Sequence, residues 1–153
     1  LIDISKKYTS QKDNVLEPVS KYLKCLQRFM NEKDFSFSEK TGNLNIQLKP
    51  IKINNEGEFF ERNIEIQHYS LSSGEKQLLI LLTQTLLQEK QPYVFIADEP
   101  ELSLHIEWQH KIIGAIKELN PNAQIIVATH SPEIAGLWKS NITNLHNVTE
   151  YGD

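Results

Sequence analysis

No glycine in this chain opens the pattern G-x-x-x-x-G-K-[ST], so the sequence holds no loop of the kind whose backbone N–H groups cradle nucleotide phosphates. Cysteine occurs once, at Cys25, which excludes an internal disulfide and fits a reducing, cytoplasmic setting. No apolar run reaches the roughly 20 residues of a membrane-spanning helix, and no secretory leader is visible, so a membrane partner is not expected. Positive charge is not in surplus: 16 Lys and Arg face 20 Asp and Glu, for a net charge of -4, and the basic residues are scattered. The sequence therefore shows no basic footprint for nucleic acid. What is left is the composition of a globular domain, and 153 residues are enough to bury one core.

The strongest positive signal is Ala97-Asp98-Glu99-Pro100-Glu101-Leu102, which closes the apolar run Tyr93-Val94-Phe95-Ile96. A short apolar run bounded by Pro92 reads as a strand buried on both faces, and two carboxylates at its C-terminal end stand where open α/β sheets bind ligands. Alone, such a pair is more often a solvated strand end before a Pro turn. Pro100 biases Glu99 away from helix toward extended backbone, which would send the two side chains in different directions and let them do separate jobs. Upstream, Ser72 and Glu75 form a capping box for a helix carrying Leu78, Leu79, Ile80, Leu81, Leu82, Leu86 and Leu87. Gly74 in its first turn costs about 1 kcal/mol against Ala, which predicts that some group approaches the backbone closely. The N–H groups and dipole of a helix N-terminus suit a phosphate.

Downstream, Ile125-Ile126-Val127-Ala128 delivers Thr129-His130-Ser131-Pro132. Between the two runs Ser103 offers an N-cap, and Trp108, Ile112, Ala115, Ile116 and Leu119 follow at helical spacing with Asn120-Pro121 as the stop. Trp108 accordingly reads as core rather than as a stacking platform. The flanking runs read as parallel strands joined by a right-handed crossover, which sets Glu99 and His130 on one edge of the sheet.

In this order, Leu71-Ser72-Ser73-Gly74-Glu75-Lys76-Gln77, Asp98-Glu99, Glu101-Leu102-Ser103-Leu104-His105 and His130 resemble the signature motif, Walker B carboxylates, D-loop and switch histidine of an ABC-type ATPase. Ser73 and Glu75 stand where transporters carry Gly and Gln, and His105 stands where they carry Asp. With Ala128-Thr129-His130-Ser131-Pro132-Glu133, these departures resemble the branch of RecF-like, SMC and overcoming-lysogenisation-defect proteins and the Septu-type AAA ATPases of phage defence. The resemblance is specific over residues 71–136. It implies an α/β fold, the C-terminal part of an ABC-type ATPase domain, with ATP and Mg²⁺ as cofactors. It further implies that Asp98 holds Mg²⁺, that Glu99 orients and deprotonates the attacking water, and that His130 contacts the γ-phosphate. Ser72, Ser73, Gly74 and Glu75 would cap the γ-phosphate of ATP held by the opposite subunit of a homodimer, with Ser72 and Gly74 at the contacting positions. His105 is given a subunit-contact role. The missing Walker A motif implies that the chain is a fragment of a longer ATPase and inactive alone. DNA repair or phage defence, with an effector nuclease or DNA as partner, is the implied setting. The alternatives are a transporter nucleotide-binding subunit, which the D-loop disfavours, and a non-catalytic dimerisation module.

The remainder reads as accessory structure. Over residues 18–30, Val19, Tyr22, Leu23, Leu26 and Met30 line one face of a helix opposite Lys21, Lys24, Gln27 and Arg28. Leu44, Ile46 and Leu48 alternate with Asn45 and Gln47, and Thr41-Gly42-Asn43 and Asn54-Asn55-Glu56-Gly57 supply turns, which predicts a small antiparallel meander. Residues 142–148 suggest a last strand. Residues 1–70 are thus expected to hold the helix and meander, and residues 71–153 the lobe with the motifs.

Overall fold

The structure is a computed structural model that describes residues 2–38, 40–49 and 64–144, with side chains of the first helix described from Leu16 onward. Helix α1 (Ile2–Phe29) is longer than its apolar face predicts, because it runs through Pro18. Proline reads as a first helical residue, yet inside a helix it forfeits one backbone hydrogen bond, and here the helix continues on both sides of it. The expected face is buried at Tyr22, Leu26 and Met30, joined by Cys25 and Phe29. Val19 and Leu23 lie half-buried at its margin.

Strands β1 (Lys33–Phe37), β2 (Leu44–Leu48) and β3 (Ile64–Glu65) form the expected antiparallel meander, with Phe35 opposite Ile46 and Leu48 opposite Ile64. The β1–β2 turn places Gly42 at φ 69°, a left-handed conformation open to glycine at no steric cost. The second expected turn, at residues 54–57, lies outside the described residues. Ile46 points into the core, and the Phe37 ring stacks at a tilt against Tyr22, 6.2 Å between centroids.

Helix α2 (Ser73–Leu86), strand β4 (Tyr93–Asp98), helix α3 (Ile106–Leu119), strand β5 (Ala123–Ala128) and the single turn α4 (Pro132–Ala135) follow. β4 and β5 are parallel, in register from Tyr93 opposite Ala123 to Asp98 opposite Ala128, with α3 as the connection. One core draws on both halves of the chain: Tyr22 and Leu26 of α1 and Met30 just beyond it meet Leu78 and Leu82 of α2, Phe95 of β4 and Ile112 and Ile116 of α3. Each such side chain, once buried, contributes about 1.5–3 kcal/mol of transfer free energy. Across this core the Tyr22 hydroxyl shares a 2.7 Å hydrogen bond with Thr83 Oγ1, pinning α1 to α2. Trp108 packs against the core and sits edge-on to Phe29, as a core aromatic.

Two expectations need correction. β4 is not buried on both faces: Phe95 is 6% exposed, but Val94 is 51% and Ile96 75% exposed, with Ile126 of β5 beside them at 49%. Among the described residues β4 pairs only with β5, and the helices cover a single face of this two-stranded sheet. The crossover helix is capped by His105, whose Nδ1 accepts from Glu107 N at 3.4 Å, and not by Ser103. Ser103 lies in a turn that packs against α2 instead. The stop is as expected: Asn120 is fully buried, and its amide donates to Gln88 Oε1 (2.8 Å) and to the Gln91 carbonyl (2.9 Å), fastening the end of α3 to the loop before β4. Residues 142–144 form no strand, and residues 145–148 lie outside the described residues.

Candidate functional site

The C-terminal ends of β4 and β5 carry the three positions singled out there by sequence, Asp98, Glu99 and His130. Asp98 closes β4 and is exposed. Glu99 extends the pairing by one residue, its N–H donating to the Ala128 carbonyl at 2.8 Å. There the backbone leaves the extended region: Glu99 has φ 44°. The expectation of extended backbone at Glu99 is therefore corrected. Pro100 disfavours the right-handed helical region for the residue before it, and the ladder bond together with a turn bond from Leu102 N to the Glu99 carbonyl (3.2 Å) selects the left-handed alternative. For a residue with a Cβ that conformation costs of order 1–3 kcal/mol, and such strain gathers at functional positions. It aims the carboxyl at the loop after β5. Glu99 Oε1 lies 3.5 Å from His130 Nε2, and Oε2 accepts from His130 N at 3.4 Å. The Glu99 side chain is 25% exposed and that of His130 is 97% exposed, so the pair faces solvent.

The first turn of α2 is built as the sequence predicts. Ser72 Oγ accepts from Glu75 N (3.3 Å), and Glu75 Oε2 accepts from Ser72 N (2.8 Å), a complete capping box. Ser72 and Ser73 are exposed. Glu75 has a partner that sequence reading missed. Lys33 of β1 donates to Glu75 Oε1 at 2.5 Å and to Glu32 Oε1 at 2.6 Å, with its side chain only 9% exposed. Burial pushes the Glu75 carboxyl up, but the Lys33 ammonium and the Ser72 N–H outweigh it and leave it below the usual range. The negative charge in this turn is thus balanced from behind, and the helix N-terminus stays attractive to an anion.

Gly74 is buried, and a Cβ there would collide with the carbonyl oxygen of Ser103. The close approach its presence predicts is made by the turn after β4. This contact brings the two candidate clusters into one unit: among the described residues, no direct hydrogen bond or ion pair joins the α2 turn to Asp98, Glu99 or His130, and the Ser103 turn stands between them. Gly74→Ala is accordingly expected to lower the melting temperature, since displacing a backbone carbonyl costs about 1–3 kcal/mol. At an open helical position the same change would stabilise by about 1 kcal/mol. A raised melting temperature in a thermal scan would contradict the packing described.

A third carboxylate, missed by sequence reading, lies beneath the pair. Glu101 is 7% exposed; one oxygen accepts from the Thr129 hydroxyl and from Ser131 N (3.2 Å), while the other, Oε2, is buried with no hydrogen-bond partner. Burial pushes its carboxyl up, and the Thr129 hydroxyl and backbone N–H groups more than offset this. Its tie to Thr129 spans 28 residues, so no local pattern announces it. Among the described residues, no group of three or more His, Cys, Asp and Glu could hold a metal ion by itself. Mg²⁺ requires less from a protein, because one or two carboxylates plus phosphate oxygens suffice, and an exposed Asp98 at a strand end fits that demand.

Residues 8–136 match the family model described as "AAA domain, putative AbiEii toxin, Type IV TA system". The chain is 31% identical over 129 residues to the retron Ec83 probable ATPase of Escherichia coli, covering 76% of this chain and 23% of that protein. It is 49% identical over 41 residues to the Septu protein PtuA of Bacillus thuringiensis, covering 27% of this chain and 10% of that protein. It therefore spans less than a quarter of the length of either relative. A solved structure of an SMC ATPase, studied for ATP-driven dimerization and DNA-stimulated activation, superimposes with a TM-score of 0.52 at 18% identity, covering 82% of this chain and 74% of that one. The fold is thus SMC ATPase-like. Since the family match runs from α1 through the strand ends that carry Asp98, Glu99 and His130, the chain belongs to this AAA-domain family.

Proposed function

We propose that the intact protein containing this chain hydrolyses ATP between two copies of itself, as the ATPase of a phage-defence or DNA-repair system, and that this chain contributes the signature turn, the Walker B carboxylates and the switch histidine. The observation that carries the reading is Glu99, held in strained backbone against His130 at the C-terminal end of a parallel strand pair. In this reading Glu99 takes the proton of the attacking water. His130, exposed and anchored by its backbone to Glu99, offers its imidazole to a γ-phosphate oxygen. Mg²⁺ held through Asp98 would neutralise charge on the phosphate oxygens. Ser72, Ser73, Gly74 and Glu75 form the turn that meets the γ-phosphate bound by the other copy, with Glu75 holding the cap and Lys33 balancing its charge.

The phosphate-cradling loop that such a site needs is not in this sequence. The open face at Val94, Ile96 and Ile126 supports a further layer of the intact protein packing on this sheet, because parallel sheets are normally covered on both faces. The Septu relative favours phage defence over repair. Among the described residues no helix is long and apolar enough to cross a membrane. The test is ATP turnover by the intact protein as Mg²⁺ is titrated, with Asp98→Ala beside it. The variant should lose about a hundredfold or more in Mg²⁺-dependent hydrolysis while its melting temperature without nucleotide is unchanged, since Asp98 is exposed. Equal turnover in the two proteins would remove Asp98 from the site.

A further inference from the structure

We infer that Glu101 is a positioning residue for the hydrolysis proposed above: its buried carboxylate latches residues 129–131 to the end of β4 and thereby holds His130 against Glu99. The inference rests on the reading of Glu99 and His130 as the hydrolytic pair.

A buried carboxylate is costly unless it is bonded, and no salt bridge joins Glu101 to a cation among the described residues. Its retention calls for a specific task, and its partners identify one. Both donors to its bonded oxygen, the Thr129 hydroxyl and Ser131 N, immediately flank His130. The His130 side chain is 97% exposed, so no packing fixes the ring. Its place is set by the backbone on either side, which Glu101 grips, and by its own bond to Glu99. Gln109 of α3 braces the same loop: its Oε1 accepts from Ser131 Oγ (2.7 Å) and its Nε2 donates to the Leu104 carbonyl (3.0 Å). The remaining Glu101 oxygen is buried with no hydrogen-bond partner.

The experiment compares Glu101→Ala, Glu101→Gln and Thr129→Val in the intact protein. Glu101→Ala and Thr129→Val should each lower kcat by about ten- to a hundredfold, the range expected when a reacting group shifts by an ångström, with KM for ATP within about twofold. The double variant should be no slower than the worse single, because both remove one latch. Gln keeps an acceptor oxygen for Thr129 and Ser131, so Glu101→Gln should stay within about threefold of the unaltered protein. Hydrogen exchange followed by mass spectrometry supplies a readout apart from turnover: amides of residues 130 and 131 should exchange faster in Glu101→Ala and not in Glu101→Gln. Normal turnover in Glu101→Ala, additive losses in the double variant, or a Gln variant as slow as the Ala variant would overturn the latch. If any of these occurs while Glu99→Gln is inactive, the hydrolytic reading stands and the latch alone fails. If the unaltered protein hydrolyses no ATP, the hydrolytic reading fails, and unchanged exchange in Glu101→Ala would show that the latch fails as well.

Discussion

In the intact protein Glu99→Gln is expected to stop ATP turnover, by the roughly 10²–10⁴-fold that a positioned general base contributes, and to leave ATP binding intact. Gln preserves the volume of the side chain and an oxygen that can accept from His130 N, now at 3.4 Å from Glu99 Oε2. What it cannot do is take a proton from water. A defect confined to kcat, with nucleotide affinity unchanged by calorimetry, is the signature of an interaction made only in the transition state. The backbone at Glu99 makes a structural explanation of such a loss unattractive, because Gln meets the same left-handed strain at φ 44° that Glu already bears. A variant that turns over at the normal rate would take Glu99 out of the chemistry and leave its strained backbone without a function.

The features readable in the sequence are those whose partners are close along the chain. Ser72 and Glu75 are three residues apart and form the capping box their spacing announces. Apolar periodicity marks α3 and the apolar runs mark β4 and β5, and their parallel pairing follows from the helix between them. One miss is local, the cap of α3 at His105 rather than Ser103; the others involve partners that only the fold brings near. Gly74 signalled that something comes close, yet only the fold identifies it as the Ser103 carbonyl. Lys33 reaches Glu75 across 42 residues. The rule for a residue before proline removes one region for Glu99, but the choice between extended and left-handed depends on bonds to Ala128 and Leu102. The apolar character of β4 predicts burial on both faces, whereas the described residues cover only one.

Ser72 is where two accounts of the α2 turn separate. As a helix cap alone, it should tolerate Asp, which caps about as well as Ser and favours the positive end of the helix dipole. Ser72 is exposed and, among the described residues, its Oγ bonds within the cap to Glu75, so the melting temperature should barely change. If the turn meets a γ-phosphate held by a second copy, the added carboxylate confronts a phosphate across the interface. Such juxtaposition of like charges costs several kcal/mol, which corresponds to about a hundredfold or more in ATP-dependent association. The direct measurement is sedimentation velocity of the intact protein carrying Glu99→Gln, which should accumulate the ATP-bound state, with and without Ser72→Asp at the same Mg·ATP concentration. The account predicts an ATP-driven dimer for Glu99→Gln and a monomer once Ser72→Asp is added; equal ATP-driven dimer in both would contradict it and leave the turn a plain helix cap.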